Sequence, residues 1–152
     1  MRRMNKTEFE TQIINQFCAP MLGDKAYVKP EQIVAEANWY IIRPLAWYMR
    51  TPWFGFKKFT YVADGFDCYH FMVEQFAYWN ERNWKRIATS GPGSAPGPAL
   101  PTVRLKYFDD EIGKNHWSCG VLTSEGWRCI DRKSDGSVIL RRLPVLPLKV
   151  EP

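Results

Sequence analysis

Residues 65–79 are the part of this sequence that most constrains the fold. Asp64-Gly65 is a turn pair, and Asp67 is a good helix N-cap because its carboxylate accepts hydrogen bonds from first-turn amides. The apolar residues that follow at helical spacing predict a buried helix that begins with a cysteine; they are Cys68, Phe71, Met72, Phe76 and Trp79. A thiol at a helix N-terminus lies in the positive end of the helix dipole, which lowers its pKa and favours the thiolate. The alternative is that Cys68 is a small buried apolar residue.

Two residues downstream have the chemistry to serve such a thiol. His116 begins a strand-like run, residues 123–126 form a turn, and the returning run ends at Asp131. A hairpin of this kind holds an imidazole against the carboxylate that orients it. Side chains alternate along strands, so the two residues share a face only where paired residue numbers sum to an odd value, and a bulge at Gly126 would shift the register by one. The other histidine, His70, points away from the thiol's face of the helix and is a poor base.

The order of these residues resembles a known family. Asp67-Cys68 before an aromatic-rich helix, His116-Trp117 on a strand and Ile130-Asp131 at the end of the next strand resemble the papain-like superfamily. The closest branch is that of the transglutaminase-like cysteine proteinases, with their small bacterial and phage-encoded members. The resemblance covers residues 53–136, and it departs from the family at Tyr69-His70, where acidic residues usually follow the cysteine.

The resemblance implies a role for each residue. Cys68 is expected to attack a carbonyl, His116 to carry the proton, and Asp131 to fix the imidazole tautomer. The backbone amide of Cys68 is expected to be one oxyanion donor, and Tyr61 is the candidate for the other. Trp53 and Trp117, together with Tyr61, are predicted to line the substrate cleft. The competing interpretation of the aromatic residues between 44 and 59, including Trp47, Trp53 and Phe56, is ordinary core.

The function predicted from this resemblance is a cysteine hydrolase or acyl transferase acting on peptide, isopeptide or cell-wall amide bonds. Its partner would be a peptide or cell-wall substrate, or another protein, and no cofactor is implied. One alternative is a non-catalytic binding or structural protein on the same fold, for example in a phage particle. A further alternative is a basic binder of nucleic acid or of a host factor, which would show a strong salt dependence.

The remainder of the sequence predicts a single papain-like α+β domain. With 152 residues, 45% of them hydrophobic, the chain is long enough for a proper core. We predict a helical half (1–89), a flexible loop (90–101), a sheet half of about four antiparallel strands (102–143) and an extended tail (144–152). In the first half, Thr7 and Glu10 form a capping box for a helix over residues 8–18. A second helix is predicted from Pro30, with a buried stripe of Ile33, Val34, Ala37, Tyr40 and Ile41, and it stops at Pro44.

The four cysteines are expected to be free thiols, because the chain shows no signal sequence. Cys119 and Cys129 flank one turn, and a disulfide across the hairpin stays open as an alternative. Zinc held by His116, Cys119, Cys129 and Cys68 is a second alternative, although no paired C-x-x-C spacing supports it. We therefore predict no metal site.

The net charge of +5 suits an anionic partner as well as a solvated surface. Basic residues gather at Arg2-Arg3, Lys57-Lys58, residues 82–86 and Arg141-Arg142, interleaved with Trp79 and Trp84. The basic N-terminus is not followed by the apolar region of a signal peptide, and no apolar run reaches the roughly 18 residues of a membrane span. The sequence thus predicts a cytoplasmic product, with association with a virion as the alternative.

Overall fold

The computed structural model describes residues 2–18, 29–50, 67–90, 99–109, 113–132, 137–142 and 149–152. These residues form two sheets and three α-helices, with a π-helical turn (Ile14–Cys18) after the first helix and a 3₁₀ turn at Pro30–Gln32. The helices are α1 (Lys6–Ile13), α2 (Leu45–Met49) and α3 (Cys68–Ser90). The strands are β1 (Arg2–Asn5), β2 (Trp39–Ile42), β3 (Thr102–Asp109), β4 (Lys114–Thr123), β5 (Gly126–Arg132), β6 (Val138–Arg141) and β7 (Lys149–Glu151). Among the described helices none has the length and apolar character needed to cross a membrane.

The larger sheet is antiparallel, has the strand order β6-β5-β4-β3-β7, and separates two hydrophobic clusters. On one face it packs against α3, through a cluster that includes Phe71, Met72, Phe76, Trp79, Cys119, Val121, Ile130 and Val138. On the other face it packs against α1 and the β1–β2 ribbon, through a cluster that includes Phe9, Ile13, Phe17, Val103, Leu105, Leu122, Trp127 and Cys129. The predicted mixed α+β architecture is confirmed, with five strands in the main sheet instead of about four.

The helix predicted to begin at Cys68 is present as α3. Phe71 and Met72 are each 1% exposed, and Phe76 and Trp79 are also buried, as the helical spacing predicts. This face of α3 lies over β4, which is the central strand of the sheet. The helix start is therefore held by the core and not by local propensity alone.

The first helix is present, but its cap differs from the prediction. Asn5, not Thr7, is the N-cap: its Oδ1 accepts from the Glu8 amide at 2.8 Å, and its own amide donates to Glu8 Oε2 at 2.7 Å. Asn5-x-x-Glu8 satisfies the capping-box pattern as well as Thr7-x-x-Glu10 does. The earlier start lets β1 run directly into α1, while Glu10 Oε1 accepts from the Ala35 amide at 3.3 Å.

The prediction of a second helix that begins at Pro30 is wrong. Only the 3₁₀ turn forms there, and the chain then extends into β2, which pairs with β1. Burial alternates along this segment: Ile33, Ala35 and Ala37 are buried, whereas Val34 is 60% exposed. A period of two is the signature of extended chain, and the apolar residues here fit it as well as they fit a helix.

The strand half is closer to the prediction. Val103, Leu105 and Tyr107 alternate with Arg104 and Lys106 along β3 and are buried, which is the pattern of a strand with one face in the core. The predicted loop 90–101 is described only at its two ends, where Ser90 closes α3 and Ala99 bridges to β2. The sequence predicts that the tail is an extended edge or a surface arm, and its described residues form β7, an edge strand paired with β3.

Gly120 permits close packing at the centre of the sheet. A Cβ on this residue would lie 2.7 Å from Leu105 Cδ1 and 2.8 Å from Val103 Cγ2. We therefore expect Gly120→Ala to lower the free energy of unfolding by about 1–3 kcal/mol, measured by urea denaturation. The double variant Val103→Ala/Gly120→Ala is the control, because it relieves one clash and should lose less than the two single changes added together. A neutral Gly120→Ala, or strict additivity, would contradict this packing.

Candidate active site

The N-terminus of α3 places the Cys68 thiol. Asp67 caps the helix as predicted: its Oδ1 accepts from the amides of Tyr69 (3.0 Å) and His70 (3.2 Å), and its carbonyl accepts from the Phe71 amide (3.0 Å). These bonds leave the Cys68 amide without an acceptor among the described residues. A backbone amide in the first turn of a helix, beside the nucleophile, is in the position where an oxyanion donor is needed.

The hairpin of β4 and β5 places His116 and Asp131 on one face of the sheet. The paired residues run from Thr123↔Gly126 to Cys119↔Ile130, and each pair sums to an odd number. The prediction that the two side chains share a face is therefore confirmed, and no bulge at Gly126 is needed. Gly126 has a φ of 99° and closes the turn, where Thr123 Oγ1 donates to its carbonyl at 2.7 Å.

His116 lies beyond the last β4–β5 pair, where β5 continues against β6. Its Nε2 lies 3.0 Å from both Oδ1 and Oδ2 of Asp131, and the Asp131 side chain is only 6% exposed. A carboxylate accepts, so Nε2 carries the proton. Nδ1 is then the nitrogen left to face the thiol, since Cys68 and His116 are also hydrogen-bonded to each other.

These contacts shift both pKa values in directions that favour an ion pair. Burial alone would raise the pKa of Cys68, but the hydrogen bond with His116, the Trp117 amide and the imidazole charge lower it below its ordinary value. Burial alone would lower the pKa of His116, but the bonds to Asp131 and Cys68 and their negative charges raise it to about 9. At neutral pH the pair is therefore drawn towards thiolate and imidazolium.

The other three cysteines have the opposite character. Burial raises the pKa of Cys18 and of Cys119, and it raises that of Cys129 to about 12. Cys119 and Cys129 lie on opposite faces of the sheet, in the two separate hydrophobic clusters, and all four cysteines are free. The disulfide alternative is thus excluded in this structure.

The predicted zinc alternative finds no support in the site. Within the described ranges no three His, Cys, Asp or Glu side chains come together as a metal-binding group. Of the proposed ligands, Cys119 lies on the face towards α3, whereas Cys129 lies on the opposite face. His116 is already hydrogen-bonded to Asp131 through Nε2, and it is hydrogen-bonded to Cys68.

Of the predicted cleft residues, the structure describes only Trp117. It is half-buried, its ring meets Tyr69 edge-to-face at 5.4 Å between centroids, and Lys106 Nζ lies 5.7 Å from its centroid. Tyr61, Trp53 and Phe56 lie outside the described residues. Trp47 contacts Trp79 at 6.0 Å in the α3 cluster, so its role there is packing.

Two residues contact the site without having been predicted to do so. Arg141 binds Asp131, and Tyr107 contacts the ring of His116 while its hydroxyl lies 3.5 Å from Asp131 Oδ2. The cluster Arg141-Arg142 predicts a basic surface, whereas the guanidinium of Arg141 binds a buried carboxylate. The alternation along β3 does predict that Tyr107 points inward. Placing Arg141, however, requires the exact register between β5 and β6, which the Asp135-Gly136 turn pair does not fix by itself.

The geometry permits one kind of chemistry most directly. A thiolate at a helix start can attack an electrophilic carbon, and the imidazolium beside it can protonate a leaving group. The carboxylate holds the imidazole in the tautomer that this requires. The sequence matches no protein-family model and no curated protein.

Proposed function

We propose that this protein is a cysteine hydrolase or acyl transferase that acts on peptide, isopeptide or cell-wall amide bonds. One observation carries the proposal: His116 is hydrogen-bonded both to the Cys68 thiol and to the buried Asp131 carboxylate. A papain-like fold is part of the proposal. It is supported by the chain order of the three residues and by the packing of a cysteine-bearing helix on an antiparallel sheet.

In the first half of the reaction, Cys68 Sγ attacks the carbonyl carbon of the amide. The electron pair of the carbonyl bond moves to oxygen, and the Cys68 amide is available to stabilise that oxyanion. When the carbon–nitrogen bond breaks, the leaving amine takes the proton from Nδ1 of His116. The products of this half are a thioester on Cys68, a free amine and a neutral imidazole.

In the second half, neutral His116 removes a proton from the acceptor. With water as the acceptor the thioester is hydrolysed to a carboxylic acid, and with an amine the acyl group is transferred. Sγ leaves as the thiolate, and His116 is again an imidazolium. Asp131 stays ionised throughout and holds the Nε2–H.

A reactive ester tests the first half without knowledge of the natural substrate. With p-nitrophenyl acetate, we expect a burst of one p-nitrophenolate per chain and one acetyl group on Cys68, located by peptide mass mapping. His116→Ala should slow this acylation by roughly 10²–10⁴-fold at neutral pH, because it removes the group that ionises the thiol. His70→Gln is the matched control, since His70 is exposed and its ring bonds to Asp67 at the helix cap, and it should keep the wild-type burst.

The outcome also separates this proposal from a non-catalytic binding protein. Acetylation elsewhere than at Cys68, or an equal burst in His116→Ala, would remove the enzymatic proposal. Purified bacterial sacculi and isopeptide-linked peptides are the next substrates. With them, wild-type protein should release new amines, and Cys68→Ala should release none.

A further inference from the structure

Arg141 on β6 binds the carboxylate of Asp131. Arg141 Nε lies 3.0 Å from Asp131 Oδ2, and Arg141 Nη2 lies 2.8 Å from the same oxygen. Asp131 pairs directly with Ile139 in the sheet, and Arg141 follows two residues later, so both side chains project from one face. The guanidinium side chain is 30% exposed, whereas the carboxylate is almost fully buried.

Tyr107 on β3 also contacts Asp131 and Arg141, and it lies on the other side of His116 from them. Its hydroxyl accepts a hydrogen bond from Arg141 Nη2 and lies 3.5 Å from Asp131 Oδ2. Its ring meets the imidazole edge-to-face at 5.4 Å, and the residue is fully buried. Four strands thus contribute one side chain each to a single network: Tyr107, His116, Asp131 and Arg141.

We infer that Arg141 is a positioning residue, which fixes the Asp131 carboxylate against His116 and so aims the imidazole at Cys68. The inference rests on the proposed function, because Arg141 would orient groups of that same site. A planar guanidinium with two donors on one oxygen restricts rotation of the carboxylate more than a single donor does. Both oxygens of Asp131 are then held within hydrogen-bond distance of His116 Nε2.

Removing Arg141 has two opposing effects on His116. Among the residues that the structure describes, the groups that face the imidazole are Cys68 from α3, Tyr107 from β3, Asp131 from β5 and, through the carboxylate, Arg141 from β6. Loss of the guanidinium charge alone would favour the imidazolium. Without its guanidinium, however, the buried Asp131 carboxylate is free to turn towards water, and that movement takes its negative charge away from the imidazolium.

The two effects predict opposite shifts, which makes the test decisive. We would follow the His116 ring signals by NMR against pH in a His70→Gln background, which leaves one histidine in the chain. Positioning predicts that Arg141→Gln lowers the His116 midpoint by about one pH unit or more and slows alkylation of Cys68 at neutral pH by about tenfold. Arg141→Lys keeps the charge but not the two donors of the guanidinium, so its His116 midpoint should lie between those of the wild type and Arg141→Gln.

An unchanged or higher midpoint in Arg141→Gln would overturn the inference. Circular dichroism of each variant checks the fold. If Arg141→Gln does not fold, Arg141→Lys decides instead. A wild-type His116 midpoint in Arg141→Lys would then overturn the inference. Failure of the proposed function has a different signature, because wild-type Cys68 would then form no acetyl thioester whatever the Arg141 variants do.

Discussion

Iodoacetamide at neutral pH is expected to alkylate Cys68 at least roughly 100-fold faster than any of the other three cysteines. Only the thiolate reacts, and the hydrogen bond with His116 and the Trp117 amide lower the pKa of Cys68 despite its burial. A thiol such as Cys129, with a pKa of about 12, has about one molecule in 10⁵ ionised at pH 7. The half-buried position of Cys68 adds access, since the other three are buried. Timed labelling with peptide mass mapping measures the four rates separately.

The control for this experiment is His116→Ala. Because the imidazole supplies both a hydrogen bond and a charge to the thiol, its loss should reduce the Cys68 rate by at least an order of magnitude. Equal rates for all four cysteines, or an unchanged rate in His116→Ala, would mean that Cys68 is a structural thiol. A non-catalytic binding protein would then be the better account.

Asp131→Asn is expected to reduce Cys68 acylation by roughly 10²–10⁴-fold while largely preserving shape. Asp131 and Cys68 together raise the pKa of His116 to about 9, and without the negative charge of Asp131 the pKa falls towards its ordinary value of about 6.5. The amide can also donate to Nε2, which moves the imidazole proton to Nδ1 and leaves the thiol without an acceptor. The burst with p-nitrophenyl acetate measures the change.

Asp67→Asn is the matched control, because it removes an equal charge at the other end of the site. Asparagine still caps a helix, so α3 should keep its start. The negative charge of Asp67 raises the pKa of Cys68, so its removal should leave acylation unchanged or slightly faster. Equal losses in the two variants would show a general effect of charge and contradict the specific role of Asp131.

The site was predictable from sequence to the extent that its residues lie at element ends. Asp67-Cys68 marks a helix start by capping and by the apolar stripe that follows. The short loop between β4 and β5 sets the parity that brings His116 and Asp131 to one face. That Cys68 meets this pair does not follow from spacing, because it depends on how α3 packs on the sheet.

The mistakes in the fold arise where one sequence pattern permits two structures. Ile33 and Ala37 fit a helical stripe, but Ala35 and the exposed Val34 show a period of two, and pairing with β1 decides for strand. Two capping boxes overlap near the N-terminus, and contacts beyond the helix select the one at Asn5. The role of Arg141 was not predicted, because its contact with Asp131 depends on the register between β5 and β6.

The protonation state of His116 tests the central claim most directly, which is that Cys68 and His116 form an ion pair at neutral pH. In His70→Gln protein, NMR signals of the remaining imidazole should stay those of the charged form through neutral pH and titrate with a midpoint of about 9. The sign follows from the raised pKa, since the charged form persists below the midpoint and is lost as the pH rises through it. Cys68→Ser in the same background should lower the midpoint, because it removes the thiolate. A midpoint near 6.5 that does not respond to Cys68→Ser would contradict the account.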